Sequence, residues 1–135
     1  MTKRKILVVD DNVELSRLLK QQLEAAGDFL VRNENRAALA LNVMRGFKPD
    51  LVILDVMMPE MDGGHLAGEM KADAALAKTP VIFLTGSVRK EEVADHHGII
   101  GGMPFLAKPV KVEELLEWIN RLAPGRTAQP KLARL

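Results

Sequence analysis

The chain has 135 residues, with 19 lysines and arginines against 18 aspartates and glutamates, and a formal net charge of +1. This length fits one domain that buries its own core, and the balanced charge excludes a chain-wide attraction to nucleic acid or to an anionic membrane. The lack of cysteine excludes disulfides and thiolate metal sites. The first apolar run, residues 6–9, is too short for a signal peptide or a membrane span, so we expect a cytoplasmic protein without a membrane partner.

Short apolar runs predict the strands. Four of them lack polar alternation, at residues 6–9, 51–54, 81–84 and 105–107, and a weaker candidate lies at 29–32. Continuous aliphatic runs are typical of strands that are covered on both faces of a parallel sheet.

Helical patterns fill the intervals between these runs. Leucines at helical spacing follow the cap candidate Asn12 and precede Gly27, where we expect the first helix to stop. Residues 37–44, ending at Gly46, and residues 66–72, 90–97 and 115–122 predict the others. Alternating strands and helices predict an α/β fold, a doubly wound five-stranded parallel sheet with helices on both faces. We assign residues 1–123 to this domain and 124–135, with two prolines and three basic residues, to a flexible tail or the start of a linker.

Polar residues directly follow the predicted strands. They are Asp10 and Asp11, Asp55, Thr85 and Lys108. In a parallel sheet these strand ends share the edge where ligands bind. Two carboxylates about 4 Å apart repel by about 4 kcal/mol at an effective dielectric constant near 20, so the cluster requires a cation. Mg²⁺ suits such oxygen ligands, and a carboxylate beside Mg²⁺, a lysine and a hydroxyl has the parts for phosphoryl transfer.

Four segments carry a family resemblance: ILVVDDN at residues 6–12, LVILDVMMPEMDG at 51–63, VIFLTG at 81–86 and FLAKP at 105–109. Together they resemble the receiver domain of response regulators in two-component signalling, the family of the chemotaxis regulators, over about residues 4–122. The resemblance implies the flavodoxin-like strand order 2-1-3-4-5. It also implies a cis peptide bond between Lys108 and Pro109.

The resemblance implies a phosphoryl acceptor and its metal site. Asp55 would take the phosphoryl group from a sensor histidine kinase or a histidine phosphotransfer protein. Asp10, Asp11, Asp55 and the backbone carbonyl of Met57 would hold Mg²⁺. The domain would catalyse its own phosphoryl transfer and dephosphorylation, without a separate substrate.

The resemblance also implies a switch. Lys108 would pair with one phosphoryl oxygen, the Thr85 hydroxyl would move to bind another, and Phe105 would rotate inward. The stretch HHGIIGGMP at residues 96–104 departs from the family, because Met103 and Pro104 replace the acidic pair that the winged-helix DNA-binding class uses for its dimer. The oligomeric state therefore stays open.

Two outputs remain. We favour a single-domain regulator that binds a downstream protein effector, with no nucleic-acid binding by this domain. The alternative is the N-terminal receiver of a longer regulator with a DNA-binding or enzymatic effector beyond residue 135. Two unrelated classes fit less well: a dehalogenase-type phosphatase would need an aspartate at Asn12, and a flavin binder would need a Ser/Thr-rich loop after the first strand.

Overall fold

The structure, a computed structural model, describes residues 3–86, 99–100 and 103–124. Within these ranges the chain forms six strands and four helices. In chain order they are β1 (Arg4–Val9), α1 (Val13–Ala26), β2 (Phe29–Glu34), α2 (Ala37–Phe47), β3 (Leu51–Asp55), α3 (Gly63–Ala72), β4 (Val81–Thr85), β5 (Ile99–Ile100), β6 (Met103–Ala107) and α4 (Val112–Leu122).

The strands form one sheet in the order β2-β1-β3-β4-β6-β5. The pairs from β2 to β6 are all parallel, which confirms the predicted five parallel strands in the order 2-1-3-4-5, with β6 as the fifth. The two-residue β5 pairs antiparallel with β6 at the outer edge, and no sequence pattern predicted this strand.

The sheet is covered on both faces, and each face has its own core layer. Side chains of β1 alternate between the layers: Ile6 and Val8 pack with α1 and α4, and Leu7 and Val9 pack with α2 and α3. Every residue of β3 and β4 is buried. This two-sided burial is the physical reason that the strand sequences are continuously apolar.

The first helix begins and ends where the sequence predicts. The Asn12 side chain accepts a hydrogen bond from the Leu15 N–H at 3.0 Å, which caps the N-terminus. The helix stops before Gly27. A Cβ atom there would lie 2.9 Å from the Phe29 ring, so glycine lets that ring pack closely under the turn.

Other boundaries differ from the predictions. Helix α2 does not end at Gly46 but continues to Phe47, where Lys48 adopts a left-handed conformation with φ 55° and donates its N–H to the Met44 carbonyl. One glycine costs a helix only about 1 kcal/mol, less than the burial of a large side chain contributes. Helix α3 begins at Gly63, three residues earlier than predicted, because the Asp62 side chain caps it. The helix predicted at 90–97 and the tail from 125 lie outside the described residues.

Candidate functional site

The polar residues that follow the strands meet at the carboxyl edge of the sheet, beside a cleft. Asp10, Asp11 and Asp55 bring their carboxylate oxygens within 4.8 Å of one another. The cleft is lined by Asp11, Asn12, Asp55, Met57, Gly86 and Lys108. The parallel strand order thus brings residues distant in sequence onto one small surface.

The loop after β1 holds one buried and one exposed carboxylate. Asp10 is fully buried, whereas Asp11 is exposed. The backbone N–H of Asn12 donates to Asp10 Oδ1 at 2.9 Å. Asp10 Oδ2 is buried, and its partner is the Lys108 ammonium group. Because a carboxylate oxygen has more than one lone pair, Oδ2 can bind a metal cation in addition to Lys108.

Asp55 ends β3 and lies next to a tightly packed loop. Its side chain is 3% exposed, and its Oδ1 accepts the Met57 N–H at 3.3 Å. The N–H of Gly63 donates to the Val56 carbonyl at 2.7 Å. A Cβ atom on Gly63 would collide with the Asp55 carbonyl oxygen, so glycine allows α3 to start directly against this loop. The Met57 side chain points into solvent and is 61% exposed.

Lys108 is the cation of the site. Its Nζ lies 3.0 Å from Asp10 Oδ2 and 3.4 Å from Asp55 Oδ1, so one ammonium group bridges two buried carboxylates. Its backbone N–H donates to the Thr85 carbonyl at 2.9 Å, which ties the end of β6 to the end of β4. The peptide bond between Lys108 and Pro109 is cis, as the resemblance predicted.

The electrostatics of the site leave an unmet need for positive charge. Burial, and then repulsion from Asp10, raise the pKa of Asp55 to about 6, although Lys108 and the Met57 N–H oppose the rise. Burial alone would lower the pKa of Lys108, but the contacts with Asp10 and Asp55 outweigh it, and the pKa is raised. One lysine therefore does not compensate the three carboxylates, and their oxygens fit a hard divalent cation such as Mg²⁺.

The predicted switch residues Thr85 and Phe105 lie on the neighbouring strands β4 and β6. Thr85 is fully buried at the end of β4. Phe105 is half-buried, and its ring stacks on Phe83 with centroids 4.6 Å apart and planes at 24°. The two phenylalanines are direct partners in the β4–β6 register.

Comparison with known proteins identifies the family. The family model described as the response regulator receiver domain matches residues 6–120. The chain belongs to the response regulator receiver family.

Its relatives differ in length. This receiver is 35% identical over 119 residues to the probable transcriptional regulator ycf29 of Pyropia yezoensis, covering 87% of this chain and 52% of that protein. It is 30% identical over 118 residues to the polar-differentiation response regulator DivK of Brucella anthropi, covering 87% and 94%. The chain spans about half the length of the first curated relatives that it matches.

A solved structure has the same fold. The chemotaxis protein CheY4 of Vibrio cholerae matches with a TM-score of 0.74 at 27% identity, covering 89% of this chain and 98% of that one. In the part of the receiver that the structure describes, no helix has the length and apolar character needed to span a bilayer.

Sequence reasoning missed three residues of this receiver that touch the site or its supports: Asn35, Phe83 and Gly86. Asn35 follows β2 as Asp10 follows β1, but the strand was predicted to end at residue 32, so the rule of a polar residue after a strand did not reach it. Phe83 required the register of β4 against β6, and Gly86 required the shape of the cleft. Neither register nor shape is readable from one sequence.

Proposed function

We propose that this receiver accepts a phosphoryl group on Asp55 from a phosphohistidine of a sensor histidine kinase or a histidine phosphotransfer protein, with Mg²⁺ as cofactor. The supporting observation is that the Asp55 carboxylate is buried within 4.8 Å of two other carboxylates and 3.4 Å from the Lys108 ammonium group. The carboxylates of this cluster can bind a divalent cation, and the Lys108 ammonium group can bind an anion. A folding role alone would not need three acids at one edge.

The metal ligands in this proposal are the carboxylates of Asp10, Asp11 and Asp55 and the backbone carbonyl of Met57. Mg²⁺, when bound, supplies positive charge that offsets the charge of the transferring phosphoryl group. The Asn12 N–H directs the Asp10 carboxylate through Oδ1 and leaves Oδ2 toward Lys108 and the cluster. The contact between Met57 N–H and Asp55 Oδ1 likewise orients the acceptor.

The transfer itself is an in-line displacement. An oxygen of Asp55 forms a bond to phosphorus while the bond from phosphorus to the histidine nitrogen breaks, and the electron pair stays on the imidazole. Lys108 pairs with a phosphoryl oxygen. In doing so its ammonium group gives up one of its two carboxylate contacts. The domain also catalyses hydrolysis of the aspartyl phosphate, so it acts on itself and needs no separate substrate.

The signal leaves the site through Thr85 and Phe105. The Thr85 hydroxyl binds a phosphoryl oxygen, and Phe105 turns inward, which changes the surface around β4 and β6. We propose a downstream protein effector and no nucleic-acid binding by this domain, because the net charge of +1 offers few phosphate contacts.

The surrounding protein has two candidate forms. A single-domain regulator is our first proposal, with residues 1–123 as the receiver and 124–135 as a tail, and the 94% coverage of DivK supports it. The second is the N-terminal receiver of a longer regulator, which the half-length match to ycf29 supports. A reading frame that continues past residue 135 would favour the second form.

Phosphorylation with acetyl phosphate and Mg²⁺ tests the central proposal. We expect one phosphoryl group, stable in acid and labile in base, mapped to Asp55 by mass spectrometry. Asp55→Asn should abolish it, and the exposed Asp28→Asn should leave it unchanged. Equal phosphorylation in excess chelator, or a phosphoryl group on another residue, would contradict the proposal.

A further inference from the structure

A part-buried polar network contacts the backbone of the loop that carries Asp10 and Asp11, and its side chains are not among those that line the cleft. The Asn35 side-chain nitrogen Nδ2 donates to the Asp10 carbonyl and to Ser16 Oγ, both at 2.8 Å. The Ser16 hydroxyl, which is fully buried, donates to the Asn12 carbonyl at 2.6 Å. The network thus joins the β2–α2 connection to both ends of the acidic loop.

The directions of these hydrogen bonds are fixed by their partners. A backbone carbonyl only accepts, so the Asn35 atom that faces Asp10 is the amide nitrogen. The Ser16 proton goes to the Asn12 carbonyl, so its lone pair is available to Asn35. Asn35 therefore donates one amide hydrogen to the Asp10 carbonyl and the other to Ser16, which in turn holds the Asn12 carbonyl on the other side of Asp11.

We propose that Asn35 is a positioning residue that sets the direction of the Asp10 and Asp11 carboxylates for the divalent cation. This inference rests on the proposed magnesium-dependent function. Asn35 fixes the Asp10 carbonyl, and the Asn12 N–H on the other side of Asp11 fixes Asp10 Oδ1. The backbone on both sides of Asp11 is thus held, although the Asp11 side chain is exposed.

The physical reason is preorganisation. The acidic loop must hold like charges close together before the cation arrives, and without restraint the backbone would turn the exposed carboxylate away. Groups that orient metal ligands typically change metal affinity by about 10- to 100-fold when they are removed. Asn35 contacts neither carboxylate group, so its effect comes through the backbone of the loop.

Titration with Mg²⁺ alone, followed by calorimetry, tests the inference. Asn35→Ala should raise the Kd for Mg²⁺ by roughly tenfold. At saturating Mg²⁺, phosphorylation of the same variant by acetyl phosphate should return to near the wild-type rate, because Asn35 does not touch the reacting atoms. A role in folding alone would lower the unfolding temperature without this separation of affinity from rate.

A double-mutant cycle identifies the route of the effect. Ser16→Ala should raise the Kd by roughly fivefold, about the value of one hydrogen bond. Because Asn35 and Ser16 belong to one network, the double variant should bind Mg²⁺ little worse than Asn35→Ala. The matched control is Asn42→Ala, which removes an exposed amide on α2 that accepts a hydrogen bond from Arg45, and it should leave the Kd unchanged.

Two failures are distinguishable. If the wild-type protein binds no Mg²⁺, the proposed function is wrong. If the wild type binds and Asn35→Ala binds equally well, the positioning role is overturned while the proposed function stands. Should Asn35→Ala fail to fold, Ser16→Ala decides: a weaker affinity supports the role, and an unchanged affinity overturns it.

Discussion

The two halves of the site are held in different ways. The acidic half, Asp10, Asp11 and Asp55, lies at the ends of the neighbouring strands β1 and β3, where backbone and side-chain amide N–H groups hold its loops at 2.8 to 3.3 Å. The proposed switch half, Thr85, Phe105 and Lys108, lies in or directly after the neighbouring strands β4 and β6. There Phe105 is only half-buried and rests on an aromatic stack.

This difference matches the two tasks that we propose for this receiver, cation binding and switching. A cation site needs ligands whose geometry is set in advance, because any reordering reduces affinity. A switch needs an element with two arrangements that differ little in free energy. The comparison leads to four predictions, in order of decreasing effect.

Removing the Lys108 ammonium group, which contacts both Asp10 and Asp55, should have the largest effect on the phosphorylation rate. In Lys108→Met, no ammonium group is left to meet the incoming phosphoryl oxygens, and we expect phosphorylation by acetyl phosphate to slow roughly 100-fold. Lys111→Met removes an exposed lysine three residues away and serves as the control. Equal rates for the two variants would show that Lys108 does not take part in phosphoryl transfer.

Removing the acceptor charge should stabilise the metal-free protein. The Asp55 pKa is raised from its ordinary 3.8 to about 6. The folded state therefore holds a proton that the unfolded state releases, and wild-type stability falls as the pH rises from about 4 to 6. Asp55→Asn has no carboxyl group to ionise at this position, so its stability should not fall in this way over that pH range.

The measurement is urea unfolding in chelator across this pH range. At pH 7 we expect Asp55→Asn to exceed the wild type by roughly 1–3 kcal/mol in free energy of unfolding, since a pKa difference of about two corresponds to about 3 kcal/mol. The two proteins should converge below pH 4. Exposed Asp11→Asn should change stability less, and a destabilised Asp55→Asn would refute the electrostatic account.

The residues of the acidic half could be predicted from the sequence more completely than those around the switch half. Asp10, Asp11 and Asp55 each follow a strand with a strong apolar run, so the fold class and the cluster could be predicted together. Phe83 could not, because its partner Phe105 is 22 positions away and only the register of β4 against β6 brings them together. Asn35 was missed because β2 has a weak pattern, with exposed Leu30 and Arg32, that hid where the strand ends.

Removing the Thr85 hydroxyl should separate phosphorylation from switching. In Thr85→Ala the charge compensation by Lys108 remains, so we expect phosphorylation to slow by only about fivefold, the value of one neutral hydrogen bond. The change in amide exchange over residues 103–107 on adding beryllofluoride should largely disappear. Thr79→Ala, at the opposite end of β4, is the control. A full exchange response in Thr85→Ala would assign the switch to another residue.

The smallest predicted effect lies within the switch half, at the ring stack. Phe83→Leu keeps an apolar side chain on β4 but removes the aromatic contact with Phe105, which is worth about 1 kcal/mol beyond burial. The substitution should mainly destabilise the conformation seen here, in which the two rings are stacked. The population of other Phe105 conformations should therefore rise about fivefold. Amide exchange over residues 103–107 without beryllofluoride should accelerate accordingly.

The control for the ring stack is Phe29→Leu, which removes a buried ring from the other core layer. It should lower global stability by a similar amount, because it also leaves a cavity. It should not speed exchange in β6 more than elsewhere. If both variants accelerate exchange evenly along the sheet, the stack contributes only to stability. If exchange in Phe83→Leu is faster only in β6, the Phe83–Phe105 stack restrains the switch half. The stack would then have the role that hydrogen bonds have in the acidic half.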